Sequence, residues 1–246
     1  MEPSESSYRP QATVEAAAKH PELPPAQARL GTLIGFAAAT FLGAFLLFQV
    51  QPLIGKYILP WFGGGPAVWT TCMLFFQVLL LGGYAYAHLG SQRLAARTQA
   101  ILHAGLLLAA LACLPVIPSL SWKPVSPDHP TWRILALLTV CLGLPYFVLS
   151  ATGPLMQDWF RRLNPGVSPY RLYALSNLGS LLALLSYPLL FEPIFSRKTQ
   201  AVLWSWGMGA FALVCGLCAW RLWRSQLSSP ATPSPQRLGR GKLEGP

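Results

Sequence analysis

Long apolar blocks alternate with short polar stretches along most of this chain. A helix needs roughly 20 apolar residues to cross a hydrocarbon core of about 30 Å. Six blocks reach that length without an Asp, Glu, Lys or Arg in the middle: Gly31–Ile54, Ala67–His88, Thr98–Pro118, Ile134–Met156, Leu172–Phe191 and Gln200–Trp220. They lack the period-two alternation of barrel strands, and helices satisfy their own backbone groups in lipid. The pattern therefore predicts an all-α fold, a polytopic membrane bundle of six transmembrane helices.

Basic residues are distributed unequally between the two sides of these six blocks. Of the 18 Lys and Arg residues, thirteen precede the first block, lie in alternate loops or follow the last block, and five lie on the other side. Loops that stay in the cytoplasm are enriched in Lys and Arg. Both termini are therefore predicted to be cytoplasmic.

Polar sequence flanks the six-helix domain, residues 31–220, at both ends. Residues 1–30 are rich in Ala, Pro and Glu and have no periodic apolar positions, which predicts a disordered cytoplasmic N-terminal arm. Residues 221–246 form a Ser-, Pro- and Arg-containing stretch that predicts a disordered basic cytoplasmic tail. The apolar run after Arg29 is too long for a cleaved signal peptide, so it is interpreted as the first span.

Composition narrows the functional class. The chain is 53% hydrophobic and 11% charged, against about 25% charged residues in a soluble domain. Its net charge of +10 arises at the ends of apolar blocks rather than in one patch, so nucleic acid is not an expected partner. The pair Cys215 and Cys218 lies in an apolar block without a second Cys or His pair, so no metal site is expected. No catalytic triad, carboxylate pair or cofactor motif is evident, and we expect no catalytic residue and no cofactor.

Small residues recur at every fourth position of the first block, at Gly31, Gly35, Ala39 and Gly43. Such a ridge lets a second helix approach closely in a membrane. Packing within the bundle is the favoured interpretation, and homodimerisation is the alternative.

Four polar side chains in or beside the blocks form a candidate solute pathway: Gln49, Lys56, Gln77 and Asn177. Gln49 and Lys56 are seven positions apart and share a helix face. Lys56 lies near the predicted external end, where Glu192 is also found, so an ion pair between them is compatible with the sequence. The alternative for the amides is interhelical hydrogen bonding, at about 0.6 kcal/mol each.

The blocks FLLFQVQPLIGKYILPWFGGGPAVWTTCMLFFQVLLLGGYAYAHL and PYRLYALSNLGSLLALLSYPLLFEP resemble the membrane half of bacterial fused proteins. In that family a major-facilitator-like membrane part precedes a spermidine synthase-like domain. The resemblance covers most of residues 31–220 and implies a bacterial inner-membrane location and a link to polyamines. The family's aminopropyltransferase domain has no counterpart after the sixth block, so no catalytic residue is carried over.

Together these features predict a membrane module of a spermidine synthase-like system that binds or moves a small polar or cationic solute. One alternative is a permease-type transporter subunit, and another is a non-transporting scaffold that recruits a separate aminopropyltransferase. The lipid bilayer is the expected partner. A homo-oligomer, or a separate synthase-like or transporter subunit, is a further expected partner, because six helices are one half of a major-facilitator transporter.

Overall fold

The computed structural model describes residues 26–124 and 130–228, which are helical over most of their length and contain no strand. The predicted all-α class is confirmed. The α-helices are α1 Ala26–Phe62, α2 Pro66–Arg93, α3 Ala96–Ala112, α4 Pro130–Leu138, α5 Leu144–Leu163, α6 Tyr170–Ser186, α7 Glu192–Ile194 and α8 Arg197–Ser228. A 3-10 turn covers Leu120–Trp122, and π-helical segments cover Thr139–Gly143 and Tyr187–Phe191.

The π-helical segments join neighbouring helices into longer rods, α4 with α5 and α6 with α7. Within the described ranges, five stretches are then long and apolar enough to cross a membrane: Leu30–Phe62, Pro66–Arg93, Pro130–Leu163, Tyr170–Ile194 and Arg197–Ser225. The chain is therefore of the multi-pass helical membrane class.

The third predicted span is shorter than expected. Its helix, α3, ends at Ala112 after 17 residues, or about 25 Å at 1.5 Å per residue. Pro115 and Pro118 follow, and proline has no backbone N–H with which to continue a helix. The described residues thus contain five helices of spanning length, where the sequence predicted six.

The bundle also extends past both predicted domain boundaries. Helix α1 begins at Ala26 rather than at residue 31, and α8 continues past Trp220 to Ser228. In the extended part of α8, the Arg221 guanidinium donates a hydrogen bond to the carbonyl oxygen of Gly31 at 2.7 Å and joins the two helices. The rest of the predicted arm and tail lies outside the described residues.

Helix α1 occupies the middle of the bundle and packs against α5, α6 and α8. Its small-residue ridge lies inside this packing. A Cβ at Gly35 would lie 3.5 Å from the Cys218 sulfur, and a Cβ at Gly43 would lie 3.1 Å from both Phe211 and Thr152. Gly31 faces Arg221, and Ala39 is fully buried. The ridge therefore positions α1 against α8 and α5.

Two glycines bring further helix pairs into close contact. A Cβ at Gly179 of α6 would lie 2.6 Å from the carbonyl oxygen of Phe41 in α1. A Cβ at Gly83 of α2 would collide with the Ser150 hydroxyl and lie 2.9 Å from the backbone nitrogen of Ala151 in α5. Glycine is thus required at both crossings, and the two crossings frame the space between α2 and α6.

Candidate functional site

A cavity of about 610 Å³ lies between α1, α2, α5 and α6. Helix α2 packs on α5 and helix α6 packs on α1, so the two outer helices form its side walls. Ala44 lines the cavity and lies halfway along α1, a helix of 37 residues. The cavity therefore extends from the middle of α1 to the last two turns of α2 and α5, where His88 and Gln157 line it. Polar residues at membrane depth are expensive and usually functional.

The walls of the cavity combine apolar surface with uncharged polar groups. Its hydroxyl, amide and imidazole groups belong to Thr40, Tyr84, His88, Ser150, Gln157, Tyr173, Ser176, Asn177 and Ser180. No Asp, Glu, Lys or Arg of the described residues lines the cavity. Mostly apolar walls with a few polar groups are typical of small-molecule sites.

Among the described residues that line the cavity, Thr40 alone has a buried polar side-chain atom without a hydrogen-bond partner. Thr40 is 1% exposed, and its Oγ1 has no hydrogen-bond partner among the described residues. Leaving a buried polar group unpaired costs about 1–3 kcal/mol. The side chains of Gln157 and Asn177, which line the same cavity, also form no hydrogen bond within the described ranges. Three polar groups on three helices thus have hydrogen-bonding capacity to offer a solute.

Two prolines leave backbone carbonyl oxygens beside the cavity free to accept hydrogen bonds. The ring nitrogen of Pro52 cannot donate to the carbonyl oxygen of Phe48, four residues earlier, and Pro154 stands in the same relation to Ser150. Phe48 and Ser150 both line the cavity. The two central helices therefore each have one carbonyl oxygen without its usual helical donor beside the cavity.

One end of the cavity adjoins a smaller cavity of about 270 Å³, which shares His88, Pro154 and Gln157 with it and reaches Asp158 and Arg161. We call this smaller space the mouth. It lies where α2 and α5 end, so the cavity opens toward that end of the bundle.

The wall of the mouth contains the buried carboxylate of Asp158. This carboxylate accepts hydrogen bonds from Arg161 at 2.8 Å and from Arg162 at 2.7 Å. Arg162 also donates to the carbonyl oxygen of Ser91 at 3.0 Å, which joins α5 to α2. Two cations therefore surround one anion at the mouth.

The structure separates the four predicted pathway residues. Both Asn177 and Gln77 are exposed, and of the two only Asn177 lines the cavity. Gln77 precedes the cavity residue Tyr84 by seven positions, so it lies on the same face of α2 two turns away. Gln49 is buried with an unpaired Nε2 but is not among the cavity residues. Lys56 lies elsewhere, in an ion pair.

That ion pair belongs to a polar cluster that we call the Lys56 junction, formed by Lys56, Tyr57, Tyr187, Glu192 and Arg197. The Lys56 Nζ lies 2.9 Å from a Glu192 carboxylate oxygen and 5.7 Å from the Tyr187 ring centre. The Arg197 guanidinium donates to the carbonyl oxygen of Lys56 at 3.0 Å and lies 5.3 Å from the Tyr57 ring centre. The junction thus ties α1 to α7 and α8.

Pro60 explains why Arg197 bonds to the Lys56 carbonyl. Proline at position 60 has no N–H to donate to the carbonyl oxygen four residues earlier, which is that of Lys56. Arg197 therefore replaces the missing helical hydrogen bond with a charged one.

Several cavity residues were not singled out from the sequence, namely Thr40, Tyr84, Gln157 and Tyr173. Thr and Tyr are common in apolar helices, so each is unremarkable alone. The spacing of polar residues along α6 could have indicated a shared polar face. Tyr173, Asn177 and Ser180 are four and three positions apart, which puts them on one face of α6.

The fold and the cavity define a multi-pass helical membrane protein with a polar site at mid-depth. In the described residues, no group of three or more His, Cys, Asp or Glu side chains is placed to hold a metal ion. Comparisons with protein-family models, with curated proteins and with solved structures find no match to this chain.

Proposed function

We propose that this protein crosses the bacterial inner membrane six times and binds a small polar solute in the cavity between α1, α2, α5 and α6. Movement of that solute through the membrane would follow from its binding at mid-depth. The observation that carries the proposal is the buried Thr40 hydroxyl, which lines the cavity without a partner among the described residues. A bound solute supplies that partner.

A structural role for the cavity's polar groups is less well supported. Polar side chains that serve only to hold membrane helices together bond to each other across the interface. At the Lys56 junction the charged side chains of Lys56 and Glu192 do so, although the Tyr187 hydroxyl has no partner among the described residues. Asn177 and Gln157 line the cavity yet form no such bond within the described ranges. The Gln49 amide and the His103 ring also have no partner in the part of the chain that the structure describes, but they lie outside the cavity. The support for solute binding therefore comes from the shared position of Thr40, Gln157 and Asn177 on the cavity wall.

Six crossings are supported by the position of α3. Its residue Gln99 accepts a hydrogen bond from the Trp159 indole nitrogen at 2.8 Å, so α3 begins beside the last turns of α5. The rod Pro130–Leu163, about 50 Å long, begins at its opposite end. Helix α3 therefore begins at one end of the bundle, and Pro130 begins the rod at the other end. With six crossings, the excess of Lys and Arg on one side favours cytoplasmic termini.

Cysteine labelling tests the number of crossings. Gly64 lies between α1 and α2, and Ser121 lies between α3 and α4. Six crossings put Gly64→Cys and Ser121→Cys on the same side of the membrane, so an impermeant maleimide added outside labels both. If α3 does not cross, the two positions lie on opposite sides and only one is labelled.

Solute binding is tested with the purified protein in lipid nanodiscs, by saturation-transfer NMR against mannitol, succinate and spermidine. We expect Thr40→Val to weaken the binding of whichever compound binds. Thr71→Val is the matched control, because the buried Thr71 hydroxyl donates to the Ala67 carbonyl oxygen at 2.9 Å and lies outside the cavity. Equal binding by both variants would contradict the proposal.

The recruitment of a separate aminopropyltransferase stays a prediction from the family resemblance. It is tested separately, by identifying the chains that co-purify with the protein in mild detergent. A synthase-like partner present at equal amount would support the scaffold role, and its absence from a solute-binding preparation would oppose that role.

A further inference from the structure

The lining of the cavity restricts the charge of the solute, an inference that rests on the proposed function. Among the described residues, every polar side chain on the lining carries a hydroxyl, an amide or an imidazole, and none carries a carboxylate or a cationic group. An ion moved from water to mid-depth loses its hydration, and only an opposite charge or dense hydrogen bonding offsets that loss. The lining offers hydrogen bonds without an opposite charge.

The mouth reinforces this restriction for cations. Its carboxylate, Asp158, is already shared by Arg161 and Arg162 at 2.8 and 2.7 Å. Two further arginines, Arg93 and Arg171, are exposed at the same end of the bundle, on the last turn of α2 and the first turn of α6. The local charge is therefore positive, and a polycation approaching from this end is repelled.

Anions are attracted at the mouth but find no counter-charge on the described lining of the cavity. The arginines around the mouth attract them, but within the described ranges no Lys or Arg lines the cavity beyond the mouth. An anion held at mid-depth would therefore lose its hydration without gaining a counter-charge. The mouth alone would concentrate anions without admitting them.

The hydrogen-bonding groups match an uncharged, hydroxyl-rich molecule. The Thr40 hydroxyl and the amides of Gln157 and Asn177 both donate and accept, as a polyol does. Proline leaves the carbonyl oxygens of Phe48 and Ser150 without their usual helical donors, and these oxygens accept from hydroxyl groups. We propose that the solute is a neutral polyol or a small sugar, and that polyamines are excluded.

Permeability of proteoliposomes tests this inference directly. Stopped-flow light scattering follows entry of glycerol, erythritol and mannitol after an osmotic step, and radiolabel follows entry of spermidine and succinate. We expect polyol entry that falls about tenfold in Thr40→Val, the loss from one unmade hydrogen bond to a desolvated partner. Spermidine and succinate should enter no faster than in empty vesicles.

The outcomes separate this inference from the proposed function. If spermidine or succinate enters in a Thr40-dependent way and the polyols do not, the neutral solute is wrong while the solute site stands. If no compound enters or binds, or if Thr40→Val changes nothing, both fail. Saturation-transfer NMR on the same preparation shows whether binding occurs without entry.

Introducing a carboxylate into the cavity tests whether the lack of negative charge is what excludes spermidine. Asn177→Asp introduces a carboxylate into the lining, so spermidine binding should appear where the wild type shows none, and mannitol binding should weaken. Gln77→Glu is the control, since Gln77 is exposed on α2 outside the cavity. If Asn177→Asp admits no spermidine although the variant folds and still binds mannitol, missing charge is not what excludes polycations.

Discussion

The cavity and the Lys56 junction are two polar regions of one apolar bundle, and they differ in how their polar groups are satisfied. At the junction the charged groups are paired, Lys56 with Glu192 and Arg197 with the Lys56 carbonyl oxygen, while the Tyr187 hydroxyl has no partner in the described ranges. In the cavity, Thr40 and Asn177 have no hydrogen-bond partner within the described ranges. Polar groups that are paired within the chain stabilise the fold, whereas unpaired groups around a cavity are available to a ligand.

Proline has the same local effect in both regions. Pro60 leaves the Lys56 carbonyl oxygen without its helical donor, and Arg197 of the same chain replaces that donor. Pro52 and Pro154 do the same to Phe48 and Ser150, which line the cavity, and no side chain of the described residues donates to these oxygens. The Lys56 junction therefore differs from the cavity in one respect: at the junction the chain itself supplies a donor to the carbonyl oxygen that proline leaves free, and at the cavity none of the described residues does so.

The largest expected effect comes from moving one wall of the cavity. In Gly179→Ala the new Cβ would lie 2.6 Å from the Phe41 carbonyl oxygen, so α6 must shift away from α1. We expect the free energy of unfolding to fall by about 1–3 kcal/mol, as for other overpacked sites, and solute binding to be lost because α6 carries Asn177.

Gly105→Ala is the control for this substitution, because a Cβ at Gly105 of α3 meets nothing within 4 Å. It should be neutral or stabilising, since alanine favours a helix over glycine by about 1 kcal/mol. Unfolding in detergent measures both variants. Equal melting temperatures would show that the close crossing of α6 and α1 does not constrain the cavity.

Thr40→Val is expected to separate binding from stability. Solute binding should weaken about 5- to 150-fold, equivalent to about 1–3 kcal/mol. The free energy of unfolding should stay the same or rise, because valine removes a buried hydroxyl that has no partner in the described ranges. Binding by NMR and unfolding in the same detergent give the two numbers. A large loss of stability would mean that the hydroxyl holds the fold together, as the Lys56 junction does.

The sequence carried more information about the helices than about the cavity. Runs of apolar residues predicted the all-α class and located the five long spans, because burial in lipid depends on composition over about 20 residues. The length of the third helix was overestimated. The apolar composition continues through Pro115, but the helix ends at Ala112 because proline has no N–H with which to continue it.

Only some of the cavity residues were predicted from the sequence, and the reason is physical. Asn177 was singled out because an amide is conspicuous in an apolar helix, while Thr40 was not. Periodicity shows which residues share a face of one helix, but the neighbour of that face depends on close crossings such as those at Gly83 and Gly179. Lys56 and Glu192 were at least predicted to lie at the same end, where they form an ion pair.

Neutralising the ion pair at the Lys56 junction should affect stability alone. The side chains of Lys56 and Glu192 are 28% and 48% exposed, so we expect Glu192→Gln to lower the free energy of unfolding by no more than about 1 kcal/mol. Solute binding should not change. Exchanging the charges in Lys56→Glu with Glu192→Lys should recover part of the loss. A drop in binding comparable with that of Thr40→Val would instead assign Lys56 to the solute pathway.

The smallest expected effect tests the role of proline. Arg197→Met should lower the free energy of unfolding by about 0.5–1 kcal/mol in the wild type, because the Lys56 carbonyl oxygen loses its donor. In a Pro60→Ala background the loss should shrink, since the N–H of alanine at position 60 then bonds to that oxygen. The exposed cation Lys198 supplies the control, Lys198→Met, whose effect should be the same in both backgrounds.

A double-mutant cycle in detergent measures this coupling between Arg197 and Pro60. A coupling near zero would mean that the carbonyl oxygen freed by Pro60 does not need a second donor. The carbonyl oxygens of Phe48 and Ser150, released by Pro52 and Pro154 in the same way, would then no longer be expected to accept hydrogen bonds from a solute. A clear coupling at the junction, where the donor is known, supports the same need at the cavity, where the proposed solute supplies it.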